Sequence, residues 1–156
     1  MRESAFLSHL KLKLAEAGLR AGHPVHWNRV ENLARRSMPD VFAQWATFDF
    51  WLEAKVAHGL QVKYQPGQPH WLERQWKARQ NAFTIVAKAR GVHFDVYLYR
   101  GDQSMELAGG GLRYVVPELL VPAAQWRTDG PDLILKRVTW GGCPDSCRCT
   151  EGVALG

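Results

Sequence analysis

Apolar residues Phe6, Leu7, Leu10, Leu14 and Ala17 recur at helical spacing, which predicts a helix from Glu3 to about Ala17, with Gly18 or Gly22 able to end it. Glu3 sits one turn ahead of Phe6 and Leu7 on the same stripe, where an acidic group also favours the helix dipole. A period of two then takes over. Val25 to Val30, after His23-Pro24, and Val41 to Trp45 read as strands, with Arg35 and Arg36 in the connection leading to Pro39-Asp40. In a third strand, Phe48 to Ala57, the apolar Phe50, Leu52, Ala54 and Val56 alternate with Trp51, Glu53 and Lys55. An extended chain therefore puts Glu53 and Lys55 side by side on one face.

Gln65-Pro66-Gly67-Gln68-Pro69 breaks the pattern, and Pro69 suits the first turn of a helix running to about Gln80. Phe83 to Lys88 and Phe94 to Tyr99 are strand-like, and Gly101 opens a looser region. Gly109-Gly110-Gly111 reads as a hinge or turn; it lacks the strand-then-helix setting of a phosphate-binding loop. Pro117 to Trp126 has room for a short helix interrupted at Pro122, and Leu133 to Thr139 reads as a last strand. The predicted order of elements gives an α/β fold with a mixed central sheet flanked by helices. In it, Asp40 and Glu53 lie on neighbouring strands and meet at a sheet edge.

With 156 residues, 46% of them hydrophobic, the chain is expected to fold as one domain over residues 1–140, followed by a tail at 141–156. No run approaches the roughly 20 apolar residues of a membrane span, and the N-terminus leads into the amphipathic helix, not a signal-peptide core; the expected location is the cytoplasm. A formal net charge of +5 favours an acidic partner, either nucleic acid or an acidic protein surface. Cys143, Cys147 and Cys149 all fall in the tail. Their odd number gives no disulfide framework, and without a nearby histidine they supply only part of a zinc site.

Hard divalent ions such as Mg²⁺ take oxygen ligands and keep several waters, so two carboxylates and substrate phosphate oxygens suffice to hold one. Asp40 and Glu53 are the expected carboxylates, with the backbone carbonyl of Ala54 as a third ligand. Such an ion polarises a scissile phosphate and activates water, and Lys55 is placed to orient that water or to offset charge on the phosphorus centre. Taken singly, Asp40 also suits a turn after Pro39, and Glu53 and Lys55 an exposed pair; together, beside Phe48, Phe50, Trp51 and Leu52, they suit a site better.

Proline-aspartate followed, thirteen positions later, by Glu-Xaa-Lys on a hydrophobic strand resembles the PD-(D/E)XK nuclease superfamily. Glu3 with Phe6 and Leu10 is similar to the first-helix glutamate of these enzymes, and Gln68 with Trp71 to the glutamine of their next helix. Over residues 3 to 100 the arrangement resembles the VRR-NUC branch and phage-type Holliday-junction resolvases. Ser37-Met38 departs from the pattern, which commonly has glycine before the proline.

The resemblance implies a restriction-endonuclease-like core and a Mg²⁺-dependent endodeoxyribonuclease, phage-encoded and homodimeric, that acts on branched DNA and accepts Mn²⁺. In that reading Asp40, Glu53, Ala54 and Glu3 hold metal, Lys55 assists the nucleophile and Gln68 orients site groups. Arg35, Arg36, Lys63, Arg74, Lys77 and Arg79 flank the site as candidates for phosphate contacts. The alternatives are a restriction-like or repair nuclease acting on linear duplex, and an inactive nucleic-acid-binding module of the same fold.

Overall fold

The computed structural model describes residues 1–30 and 37–140. Helix α1 (Glu3–Arg20) precedes strands β1 (Val25–Arg29), β2 (Val41–Trp45) and β3 (Phe48–Val56). Helix α2 (Gln68–Lys77) crosses over to β4 (Ala82–Arg90), and β5 (His93–Arg100) returns beside it. A single 3₁₀ turn (Gly101–Gln103), helix α3 (Ser104–Gly110), strand β6 (Leu119–Val121) and helices α4 (Ala123–Trp126) and α5 (Gly130–Trp140) complete the order.

These strands form one mixed sheet in sequence order, β1 to β6, antiparallel everywhere except between β3 and β4. A parallel pair requires a long crossover, and α2 supplies it. One face of the sheet presents Phe50, Leu52, Ala54, Phe83, Ile85 and Leu98 to Phe6, Leu10 and Leu14 of α1 and to Ile134 and Val138 of α5. Each of those helix side chains is fully buried and stabilises the fold by about 1.5–3 kcal/mol. On the other face Val86 and Tyr99 pack with Val62, Leu107 and Val115. Glu53 and Lys55 share that second face by alternation.

Several sequence expectations need correction. Leu133 to Thr139 belong to helix α5, not to a strand. Their β-branched residues favour a strand, yet Ile134, Leu135 and Val138 have the spacing of one helical face and are buried, while the Thr139 hydroxyl donates back to the Leu135 carbonyl at 2.9 Å. Gly109 and Gly110 finish α3 in place of a hinge. In the Pro117–Trp126 stretch a strand, β6, precedes the short helix, and Pro122 caps α4. Helix α1 runs on past Gly18 to Arg20. Arg35, Arg36 and the three cysteines lie outside the described residues.

Gly101 joins the layers. A Cβ there would overlap the Leu72 carbonyl of α2 and lie 3.1 Å from the Ala82 carbonyl, so α2 rests directly on this residue's backbone. Because the nearest obstacle is a backbone carbonyl and Trp76 Cβ, 3.0 Å away, adds to it, Gly101→Ala is expected to lower stability by about 1–3 kcal/mol. Denaturant melts check this; an unchanged midpoint contradicts the seating of α2.

Candidate active site

The site follows from a difference in strand length. The β2–β3 ladder stops at Val41 opposite Leu52, while β3 continues to Val56 along β4. Beyond Leu52, the backbone groups of β3 that point toward β2 have no strand partner among the described residues. Asp40 takes its place: its Oδ2 accepts the Ala54 N–H at 3.0 Å, and its own N–H donates to Glu53 Oε2 at 3.1 Å. Its carbonyl accepts the Val30 N–H at 2.8 Å, tying in the end of β1. Asp40 Oδ1 has no hydrogen-bond partner among the described residues. Since a strand residue's N–H and C=O point to the same side, the Ala54 carbonyl also faces Asp40.

β3 is the third of the six strands, so the two carboxylates meet inside the sheet where β2 gives out, not at the expected sheet edge. Glu53 is only 2% exposed and Lys55 4%, which corrects any picture of a solvated pair. Glu53 Oε1 lies 3.2 Å from Lys55 Nζ. The half-exposed Glu3, in the first turn of α1, approaches the same ammonium at 3.7 Å. Below it the Tyr64 ring centroid lies 5.4 Å from Nζ, and the phenol donates to Thr84 Oγ1 at 2.7 Å. Thr84 is the register partner of Glu53 on β4.

Burial first, then the neighbouring Asp40, pushes the Glu53 carboxyl up to about 8, against the pull of Lys55. Burial likewise drives the Tyr64 phenol upward, which keeps it a neutral donor.

Gln68 is buried at the start of α2, and its hydrogen bonds go to the approach to Asp40, not to Glu53 or Lys55. Its Oε1 accepts the Gln65 N–H at 2.8 Å, and its Nε2 lies 3.4 Å from the Met38 carbonyl. Gly67, at φ 85°, makes the left-handed turn that brings the chain into this position. Lys63, Arg74 and Arg79 are exposed; Lys77 is held by Glu73 at 2.7 Å. Tyr64 and Thr84 escaped the sequence reading. The one signal for them was a hydroxyl in the otherwise apolar run from Ala82 to Ala87.

Among the described residues no three His, Cys, Asp or Glu side chains form a ready-made metal cage. The donor chemistry nevertheless fits one hard cation. Two carboxylates are close enough for their repulsion to help raise Glu53, Asp40 Oδ1 is uncommitted, and the Ala54 carbonyl faces the same side.

A carboxyl raised in the folded state binds more protons there than in the unfolded chain. Its stabilising contribution is thus complete below 4.5 and is lost as pH rises through about 8. In chelator, the melting temperature of the wild type is expected to fall across that window relative to Glu53→Gln; parallel curves for the two proteins would contradict the buried, raised carboxyl. Compared with known proteins, the chain matches no family model and no curated protein.

Proposed function

We propose that the chain is a metal-dependent endodeoxyribonuclease of the PD-(D/E)XK type. The observation that carries this reading is the convergence, at the end of β2, of Asp40, Glu53 and Lys55 with Glu3 of α1. Residues far apart in sequence meet around one buried Glu53–Lys55 pair, a costly arrangement whose perturbed carboxyl marks a functional-site candidate. The mixed sheet flanked by helices suits a restriction-endonuclease-like core.

In this mechanism Asp40 and Glu53, helped by the Ala54 carbonyl, would hold Mg²⁺ or Mn²⁺. When bound there, the ion would supply polarisation of the scissile phosphate and activation of water. Lys55 has its ammonium fixed by Glu53, Glu3 and the Tyr64 ring, and donates to the attacking water or to a phosphate oxygen. Glu3 acts on Lys55, and in the resemblance would join the metal shell directly or through water. Gln68 braces Met38 and so the turn that presents Asp40. Lys63, Arg74 and Arg79, exposed and basic, contact the DNA backbone. Branched DNA and a homodimer are parts of the proposal that rest on the resemblance alone.

The test incubates the protein with labelled four-way junction, flap, linear duplex and single-stranded DNA in Mg²⁺, Mn²⁺ or EDTA. Cleavage is expected with either ion and none with EDTA. Glu53→Ala and Lys55→Ala should each lower the rate by about 100-fold or more, and Gln68→Ala by about 10- to 100-fold. Faster cutting of linear duplex than of the junction moves the enzyme to the restriction-like or repair class. DNA binding without cleavage in any metal leaves a binding module, and cleavage by Glu53→Ala at the wild-type rate overturns the mechanism.

A further inference from the structure

A cavity of about 280 Å³ opens away from the candidate active site, between α1, the start of β5 and the end of α4. His9 and Lys13 stand four residues apart on α1, His93 and Phe94 begin β5, and Trp126 ends α4 with Arg127 just after it. The apolar wall belongs to the core under α1, on the sheet face opposite Glu53 and Lys55. α4 is anchored to β5 because Asp95 Oδ1 accepts the Ala123 N–H at 2.9 Å, while Arg90 holds Asp95 Oδ2 at 2.8 Å.

Hydrogen bonding defines the polar wall. The Trp126 indole N–H donates to His9 Nε2 at 2.9 Å, and the Arg127 guanidinium lies 2.9 Å from His93 Nε2. Neither an indole nor a guanidinium can accept, so both imidazoles spend their lone pair at Nε2 and carry the proton at Nδ1. Burial, then the charge of Lys13, lowers the His9 pKa and keeps that ring neutral. Each Nδ1–H lacks a partner among the described residues. The Lys13 ammonium has a 3.6 Å contact to the exposed Glu16, which does not line the cavity.

The donors that these lining residues leave without an acceptor from the lining itself are two imidazole N–H groups, an ammonium and the remaining guanidinium N–H groups. No carboxylate lines the space. With both Nε2 lone pairs taken, the two histidines have nothing to offer a metal cation. An oxyanion with several acceptor oxygens satisfies the set, and the positive Lys13 and Arg127 side chains complement a dianion. The volume exceeds what a bare phosphate needs and lies near the lower end of small-molecule sites, while Phe94 and Trp126 give one side an aromatic wall.

We propose that this cavity binds a terminal phosphate monoester attached to a ring, with the chemistry of a nucleoside 5′-monophosphate. The ligand is either a free mononucleotide or the 5′-phosphorylated end of a nucleic acid strand. The inference is independent of the nuclease reading, because it uses none of that site's residues.

Calorimetry on the full chain, in chelator, would compare inorganic phosphate, adenosine 5′-monophosphate, adenosine, and a short oligonucleotide with and without a 5′-phosphate. The monophosphate is expected to bind more tightly than inorganic phosphate, and adenosine to be silent. Amide resonances around His9, His93 and Arg127 should shift on binding. Arg127→Ala and Lys13→Ala, both at surface side chains, should each weaken binding by about tenfold or more, while Glu53→Ala leaves it unchanged. Tighter binding of the phosphorylated oligonucleotide than of the mononucleotide assigns the strand end as the source, and the reverse assigns the free nucleotide; both support the pocket. No binding of either phosphate compound overturns it. Binding that survives Arg127→Ala and Lys13→Ala but is lost in Glu53→Ala also overturns it, since the phosphate then belongs to the other site.

Discussion

The reciprocal clasp between Asp40 and the Glu53–Ala54 peptide governs the rest of the site. Where β2 ends, β3 would leave an N–H without a partner in the interior, and an unpaired buried amide is costly. Asp40 fills the place with its carboxylate and hands its own N–H to Glu53. One residue thus replaces a missing rung of the ladder and fixes the position of a carboxylate thirteen residues away. The same residue secures β1 through Val30, so the end of the sheet and the placement of the charged groups share one set of bonds.

That clasp makes the electrostatics of Glu53 intelligible. A carboxylate with almost no exposure, a second carboxylate alongside and a single ammonium opposite is an under-neutralised group, and its proton is held correspondingly tightly. Lys55 is shared between Glu53 and Glu3, with the Tyr64 ring beneath it, so its one positive charge serves three neighbours. Extra positive charge would settle the balance, and that is what the proposed cation would bring.

Much of this was legible in the amino-acid order, for identifiable reasons. α1 and β2 carry clean periodicities because each buries one face; β3 alternates in residue type although both its faces are buried near Glu53, and that alternation paired Glu53 with Lys55 correctly. The burial of that pair was hidden, because the cover comes from Tyr64 on a connection whose path no local pattern records. Gln68 stood out by position after Pro66-Gly67, yet its bond to the Met38 carbonyl depends on tertiary placement. α5 departs from the strand expectation because Ile134, Val138 and Thr139 prefer strands as isolated residues, while docking against α1 decides otherwise. The Asp40–Ala54 contact involves a backbone amide, which side-chain identity cannot reveal.

The parallel seam between β3 and β4 also has a bearing on how the molecule is made. Hairpins β2–β3 and β4–β5 bring near neighbours together across two-residue turns and can form early. Joining them closes a loop over residues 57–81, an entropic cost that must be met before any seam contact rewards it. Glu53 pairs with Thr84 and Lys55 with Val86 across that seam. A growing chain that has completed its first hairpin therefore holds Asp40, Glu53 and Lys55 in register but still in water, and the buried pair comes into being only when the second half docks.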